Sequence, residues 1–192
     1  GGIIKPGCPV ICSPMQDEAR EVLARIAKEK KAQLILAEES VTVRRLSQDL
    51  RGQKIKIETA DSDYGPLLLP LIGRVQLENA ATAVAALESF SAISGLILEP
   101  AMVRRGLESV RWPGRLQALS DNPTVILDVA HNPNGAEALA GSLREIVRRR
   151  KIGLVVGLLA DKDCRGFVTA FSGIAEKCWA VPIHNERALP QD

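Results

Sequence analysis

Arg111-Trp112-Pro113-Gly114-Arg115 and, after a gap of nine residues, Val125-Ile126-Leu127-Asp128-Val129-Ala130-His131-Asn132-Pro133-Asn134 form the stretch that decides how this chain is read. Pro113 and Gly114 punctuate the first part, which therefore reads as a hinge. Thr124 to Leu127 is a continuous apolar run ending at Asp128, which reads as a strand. His131 lies three residues further along, in a loop that opens a helix. A guanidinium, a carboxylate and an imidazole thus gather around one strand end. In an α/β domain that end is where ligands bind. A fixed, forked cation suits phosphate, and an acid suits a ribose hydroxyl or a cation. The pattern points to a nucleotide or phosphate site.

Downstream, Asn134 followed by Glu137 reads as a reciprocal helix cap. Leu139, Leu143, Ile146 and Val147 form the buried stripe of that helix. Ile152 to Leu159 is nearly all apolar, as in a parallel strand covered on both faces, and Cys178 to Pro182 repeats the pattern. Upstream of the strand end, Leu116 to Leu119 reads as a further strand. Gln16 to Lys31 has apolar residues at helical spacing, with acids first and lysines last to suit the helix dipole. Between the β-prone runs Cys8–Cys12 and Gln33–Ala37 it completes a βαβ unit.

Val41 to Gly52 reads as a polar connection with a little helix. Lys54 to Glu58 alternates as a half-exposed strand. Tyr64 to Leu71 carries two prolines, so any strand there is short or at an edge. Gln76 to Ser91 reads as a helix with Leu77, Ala80, Ala81, Val84 and Leu87 on one face, and Pro100 to Ser109 as another with proline in its first turn. The boundary falls near Val110. Residues 1–110 and 111–192 are the expected domains of an α/β protein.

The bulk properties narrow the function classes. Hydrophobic residues make up 46% of the 192, so a packed core is expected rather than disorder. The net charge of +2 lacks the concentrated basic face that a nucleic-acid partner needs. No apolar run approaches the roughly 20 residues of a membrane span, and no secretory signal is visible. Cys8, Cys12, Cys164 and Cys178 form no CxxC pair, so they read as reduced thiols in a cytoplasmic protein. No metal cluster is evident. The chain opens on Gly1-Gly2-Ile3-Ile4-Lys5-Pro6-Gly7 without a Met and is read as a piece of something longer.

Each candidate residue has a bland alternative. Arg115 is a solvated hinge arginine or a phosphate clamp. Asp128 caps a turn or accepts from ribose. His131 is a structural hydrogen-bonder or an electrostatic group near reacting atoms. Asn79 is a surface amide or a reader of an adenine edge, with Gln76 placed to orient it. Asp161-Lys162-Asp163 is a solvated loop or a ligand contact, and the loop reading is preferred. No GxxxxGK[ST] phosphate loop occurs in these residues.

Together the segments resemble the bacterial folylpolyglutamate synthase/dihydrofolate synthase family, which belongs with the Mur ligases. Gly2-Ile3-Ile4-Lys5-Pro6-Gly7 resembles the segment after the family's modified lysine. Gly73-Arg74-Val75-Gln76-Leu77-Glu78-Asn79-Ala80 resembles its G-R-x-Q-x-x-N-A helix start. Trp112-Pro113-Gly114-Arg115 and Asp128-Val129-Ala130-His131-Asn132-Pro133 are similar to its two hinge-region motifs. Ala160-Asp161-Lys162-Asp163 resembles a later signature, and Glu186-Arg187-Ala188 its "PRA" segment, with Glu in place of proline.

The resemblance implies the rear of a Mur-ligase-type central domain followed by a Rossmann-like α/β carboxyl-terminal domain. It implies an ATP-dependent ligase, monomeric, that joins L-glutamate to dihydropteroate or a folate through an acyl phosphate. Asn79 would contact adenine, Arg115 the phosphates and Asp128 the ribose. His131 would support the acyl phosphate or tetrahedral intermediate, and Arg115 and His131 would be the catalytic pair. The phosphate loop, the Mg2+ ligands and the modified lysine are expected upstream of Gly1, and the final strands beyond Asp192. The residues in hand are therefore expected to be inactive alone and to bind ATP weakly. A Mur-type ligase of peptidoglycan precursors and a non-catalytic module of the same fold are the alternatives.

Overall fold

The computed structural model describes residues 2–148 and 150–187. Contacts divide the chain into two compact units, Gly1–Arg111 and Trp112–Asp192.

The first unit opens with β1 (Val10–Cys12), α1 (Asp17–Glu29) and β2 (Leu34–Leu36), and β1 and β2 pair in parallel. Asp17 and Glu18 lie in the first turn of α1 and Lys28 in its last, complementing its dipole. A short α2 (Ala37–Ser40) leads into an antiparallel meander of β3 (Val41–Asp49), β4 (Gly52–Thr59) and β5 (Asp63–Leu69), with β4 central. Two helices complete the unit, α3 (Arg74–Ser94) and α4 (Pro100–Glu108).

The core joins Ile55, Ile57 and Tyr64 of the meander to Ala80, Ala81, Val84 and Ala85 of α3 and Val103 of α4. Alanines on α3 have no bulk to hold it away from this sheet, and each fully buried Ile contributes about 1.5–3 kcal/mol. Gly52 closes the turn between β3 and β4 at φ 148. A Cβ there would lie 2.3 Å from the Leu69 carbonyl oxygen, so only glycine fits between the turn and the end of β5.

Two sequence expectations are corrected here. Val41 to Gly52 is mostly strand, and the little helix precedes it at Ala37–Ser40. An edge strand wetted on one face can be polar, and a register shift between Arg45 and Ser47 breaks the alternation that would have revealed it. Leu87 is 41% exposed, and Ala85 takes the buried place beside Val84.

The second unit begins with an antiparallel hairpin, β6 (Gln117–Asp121) and β7 (Thr124–Leu127). Then come α5 (Pro133–Val147), β8 (Ile152–Val156), α6 (Cys164–Thr169) and β9 (Ala175–Ala180), with β8 and β9 parallel. Ala136, Ala140 and Leu143 of α5, with Phe167, Phe171 and Ile174, are its buried apolar side chains around the helices. Leu116 lies outside β6, in a left-handed conformation at φ 44. Strand β8 is not covered on both faces: its burial alternates, and Val155 is 63% exposed. The cap of α5 is Asn132 rather than Asn134. Its side-chain oxygen accepts from the Gly135 amide at 2.8 Å, with Pro133 in the first turn.

Candidate active site

The register of the hairpin sets the site. Gln117 pairs with Leu127, so the turn before β6 and the loop after β7 leave the sheet at the same end. Two hydrogen bonds tie turn to loop, and a third orders the loop itself. The Val129 amide donates to the Gly114 carbonyl at 3.0 Å. The Leu116 amide donates to Asp128 Oδ2 at 2.9 Å, and the Ala130 amide to Asp128 Oδ1 at 2.7 Å. Gln117 Oε1 accepts from the Gly114 amide at 3.0 Å.

Gly114 is irreplaceable by geometry. Its φ is 73, and a Cβ there would lie 2.7 Å from Val129 Cγ1. Arg115 follows it and precedes left-handed Leu116, so the arginine sits at the crest of a sharply turned segment. Its side chain is exposed, and among the described residues it makes no hydrogen bond or ion pair. A guanidinium with all five donors free is ready for an anion.

His131 Nδ1 lies 3.1 Å from the Val129 carbonyl oxygen. A carbonyl only accepts, so Nδ1 carries the proton. The neutral ring then presents Nε2 as an acceptor, and the protonated ring presents it as a donor. His131 directly precedes the Asn132 cap, so the amide end of α5 begins where the imidazole stands. The structure therefore places Arg115, Asp128 and His131 in the turn and loop at one end of the hairpin. Asn79 belongs to the first unit, exposed in the second turn of α3. Its Nδ2 donates to Gln76 Oε1 at 3.1 Å, leaving its own carbonyl oxygen and one N–H free.

A second polar cluster was only partly legible in the sequence. Beyond β8, the Ala160 amide donates to the Arg187 carbonyl at 2.8 Å, joining the two signature-like segments. Lys162 Nζ lies 3.1 Å from Asp161 Oδ2. That hydrogen bond, aided by the more distant Arg187 charge, holds the Asp161 carboxyl below the usual carboxylate range. Asp163 caps α6 by accepting from the Gly166 amide at 2.8 Å. Asp163 is thus structural, while Lys162 is half-buried and paired with Asp161, and Arg187 is exposed. Ala188 of the Glu186-Arg187-Ala188 segment lies outside the described residues. An open groove of about 610 Å³ between α5 and α6 is lined by Pro133, Glu137, Arg144, Asp163, Arg165 and Thr169. Two of its charged groups already serve the fold, Asp163 as a cap and Arg144 as a donor to the Ala170 carbonyl.

Residues 114–191 match the Mur ligase glutamate ligase domain. The segment that this match opens on is the Gly114–Leu116 turn. The chain belongs to the folylpolyglutamate synthase/dihydrofolate synthase family of Mur ligases. It is 30% identical to the folylpolyglutamate synthase of Lacticaseibacillus casei, over 99% of this chain and 44% of that protein. It is 31% identical to the dihydrofolate synthase/folylpolyglutamate synthase of Escherichia coli, over 97% of this chain and 41% of that one. Among solved structures, a folylpolyglutamate synthase complex with AMPPCP and folate superposes with a TM-score of 0.86 at 29% identity. That match covers 94% of this chain and 44% of the solved one. The chain thus spans less than half the length of these relatives. Like this family, it is α/β in both units.

Proposed function

We propose that these residues are part of an ATP-dependent ligase that joins L-glutamate to dihydropteroate, to folates, or to both. The observation that supports this most is the knotted turn and loop. It presents an unpartnered arginine and a tautomer-fixed histidine from one rigid strand end, inside a domain matched to glutamate ligases. In such a reaction a substrate carboxylate is activated as an acyl phosphate, and an amine then attacks it. Negative charge builds on phosphoryl and carbonyl oxygens, and pre-placed donors stabilise it without reorganising. Arg115 would hold phosphate oxygens through its fork. His131, through Nε2–H when protonated, would meet the developing oxyanion. Asn79 would read the adenine edge with the carbonyl oxygen and N–H that Gln76 leaves free.

Magnesium is a further part of the proposal. Among the described residues no group of three or more His, Cys, Asp or Glu side chains could hold a metal ion. No helix among them is long and apolar enough to cross a membrane, and we place the protein in the cytoplasm as a monomer.

The test is incorporation of radiolabelled glutamate by the full-length protein. Dihydropteroate, a reduced folate and a UDP-muramoyl precursor would be offered separately, each with ATP. Labelled product from dihydropteroate or folate alone is the expected result. Product from the UDP-linked precursor alone would move the protein to peptidoglycan synthesis, and no product from any would favour a non-catalytic module. Residues 1–192 alone are expected to give no turnover.

A further inference from the structure

We propose that Ser13, in the loop after β1, is a positioning residue for recognition of the adenine base. Its hydroxyl ties down the second turn of α3 and so sets where Asn79 stands. This deepens the ligase reading above and rests on it for the identity of the base.

Helix α3 meets the core of the first unit through Ala80, Ala81, Val84 and Ala85. Alanines let a helix come close, but side chains this short interlock little. Packing alone therefore sets the rotation and sliding of α3 only loosely. Polar ties complete its placement. Just before its first turn, the fully buried Gln53 donates from Nε2 to the Leu71 carbonyl at 2.9 Å and to the Gly73 carbonyl at 3.1 Å. Gln48 Oε1 accepts from the Gly73 amide at 3.2 Å. Among the described residues, Gln53 Oε1 is left buried without a partner, a costly state for an amide oxygen. The fold accepts that cost where the chain enters α3. One anchored end still leaves the helix a pivot, and a second tie fixes its orientation.

Ser13 supplies that second tie. Its Oγ lies 2.8 Å from Thr82 Oγ1, a bond between residues 69 positions apart. Thr82 Oγ1 also donates to the Glu78 carbonyl at 2.8 Å. A hydroxyl has one proton and a carbonyl only accepts, so Thr82 gives its proton to Glu78 and Ser13 donates to Thr82. The relay from Ser13 through Thr82 ends on the carbonyl of the peptide that joins Glu78 to Asn79. Asn79 and Thr82, three residues apart, are neighbours on one face of the helix. The Asn79 side chain is exposed and bonds to Gln76 of the same helix, so its place follows that of the helix. Ser13 itself follows a parallel strand at its carboxyl end, the end where α/β sheets take ligands. The tie thus runs from that end of the sheet to the helix that carries the reader of the base.

The free carbonyl oxygen and N–H of Asn79 match the 6-amino group and N7 of adenine. Inosine triphosphate keeps N7 but carries an oxygen in place of that amino group, so preference for ATP over ITP reads the placement of Asn79. The test measures equilibrium binding of both nucleotides to the full-length protein, and then KM and kcat for ATP. Ser13→Ala is expected to weaken ATP binding and raise its KM by about fivefold. ITP binding should change by less than about twofold, and so should kcat at saturating ATP. Ser13→Thr, which keeps the donor, should restore the preference. In an Asn79→Ala background, Ser13→Ala should change ATP binding by less than about twofold, because the group it positions has gone.

A Ser13→Ala protein that melts earlier yet keeps the parent's preference for ATP would make the bond purely structural and overturn the proposal. Equal weakening of ATP and ITP would overturn it too. If Ser13→Ala does not fold, Thr82→Val removes the same bond with a side chain of similar shape and carries the test. A parent that binds ATP and ITP alike would refute base reading by Asn79, and the proposal with it. A parent that selects ATP, loses that selection in Ser13→Ala and joins glutamate to no substrate would uphold the tie while refuting the ligase reading. A parent that binds no nucleotide would refute both.

Discussion

The two units are held together by different physics. In the first, a sheet of three strands is sealed by an alanine-faced helix, and Ile55 and Ile57 of the central strand are wholly buried. In the second, the hairpin that bears the candidate site buries none of its own residues, and its order comes from amides meeting a carboxylate and a carbonyl. Packing tolerates polar change at the surface and punishes change in volume. A hydrogen-bonded knot tolerates changes of bulk around it and punishes loss of a single acceptor. Scaffold and site therefore answer to different substitutions.

The largest effect separating them is expected at Ile55. It is 0% exposed on the central strand, so Ile55→Ala should destabilise the first unit by about 2–5 kcal/mol. Chemical denaturation followed separately for each unit checks this, and equal loss in both would break the contrast.

Next comes the polar anchor of the first unit. Tyr64 is 1% exposed and donates to Glu88 Oε1 at 2.6 Å, which also accepts from Thr59 at 2.8 Å. Burial first, and then the bond to Glu88, pushes its hydroxyl up to about 12 from an ordinary value near 10. The folded state therefore binds the proton more tightly than the unfolded chain. Its contribution to stability is complete below pH 10 and fades as the pH climbs towards 12. Melting temperature measured across that window should fall more steeply for the parent than for Tyr64→Phe.

The smallest effect is expected at Leu87, which helical periodicity put on the buried face. At 41% exposure, Leu87→Ser should change stability by less than about 0.5 kcal/mol. A larger loss would mean that this part of α3 is covered in solution.

The same contrast explains what the sequence made legible. Packing writes itself as periodicity: Ala80, Ala81 and Val84 of α3 and the βαβ order can be read directly because burial selects residues at fixed spacing, whereas on α1 the apolar spacing put Val22 on the packed face and it is 45% exposed. Where one face meets water, the pattern weakens. Strand β3 looked like a connection because its outward residues are polar and its register slips between Arg45 and Ser47. Hydrogen-bond networks leave fainter marks. Asp128 could be read as a carboxylate at a strand end, but nothing in its spacing revealed that both oxygens bind amides, one from a residue 12 positions earlier. The helix cap was misplaced by two residues because Asn132 and Asn134 are equally good caps by composition. Only the bond to Gly135 decides for Asn132. Arg115 and His131 were singled out as candidates by residue type and motif. Their freedom from other partners, and the tautomer of the imidazole, needed the structure.

Arg115 gives the most direct measurement. Its side chain is exposed and, among the described residues, bonded to nothing, so its loss tests a ligand role apart from the fold. With Arg115→Ala in the full-length protein, glutamate incorporation at saturating folate should fall by about 100-fold or more, while the melting temperature stays unchanged. Full activity in that variant, or a loss of activity matched by a loss of stability, would contradict the account.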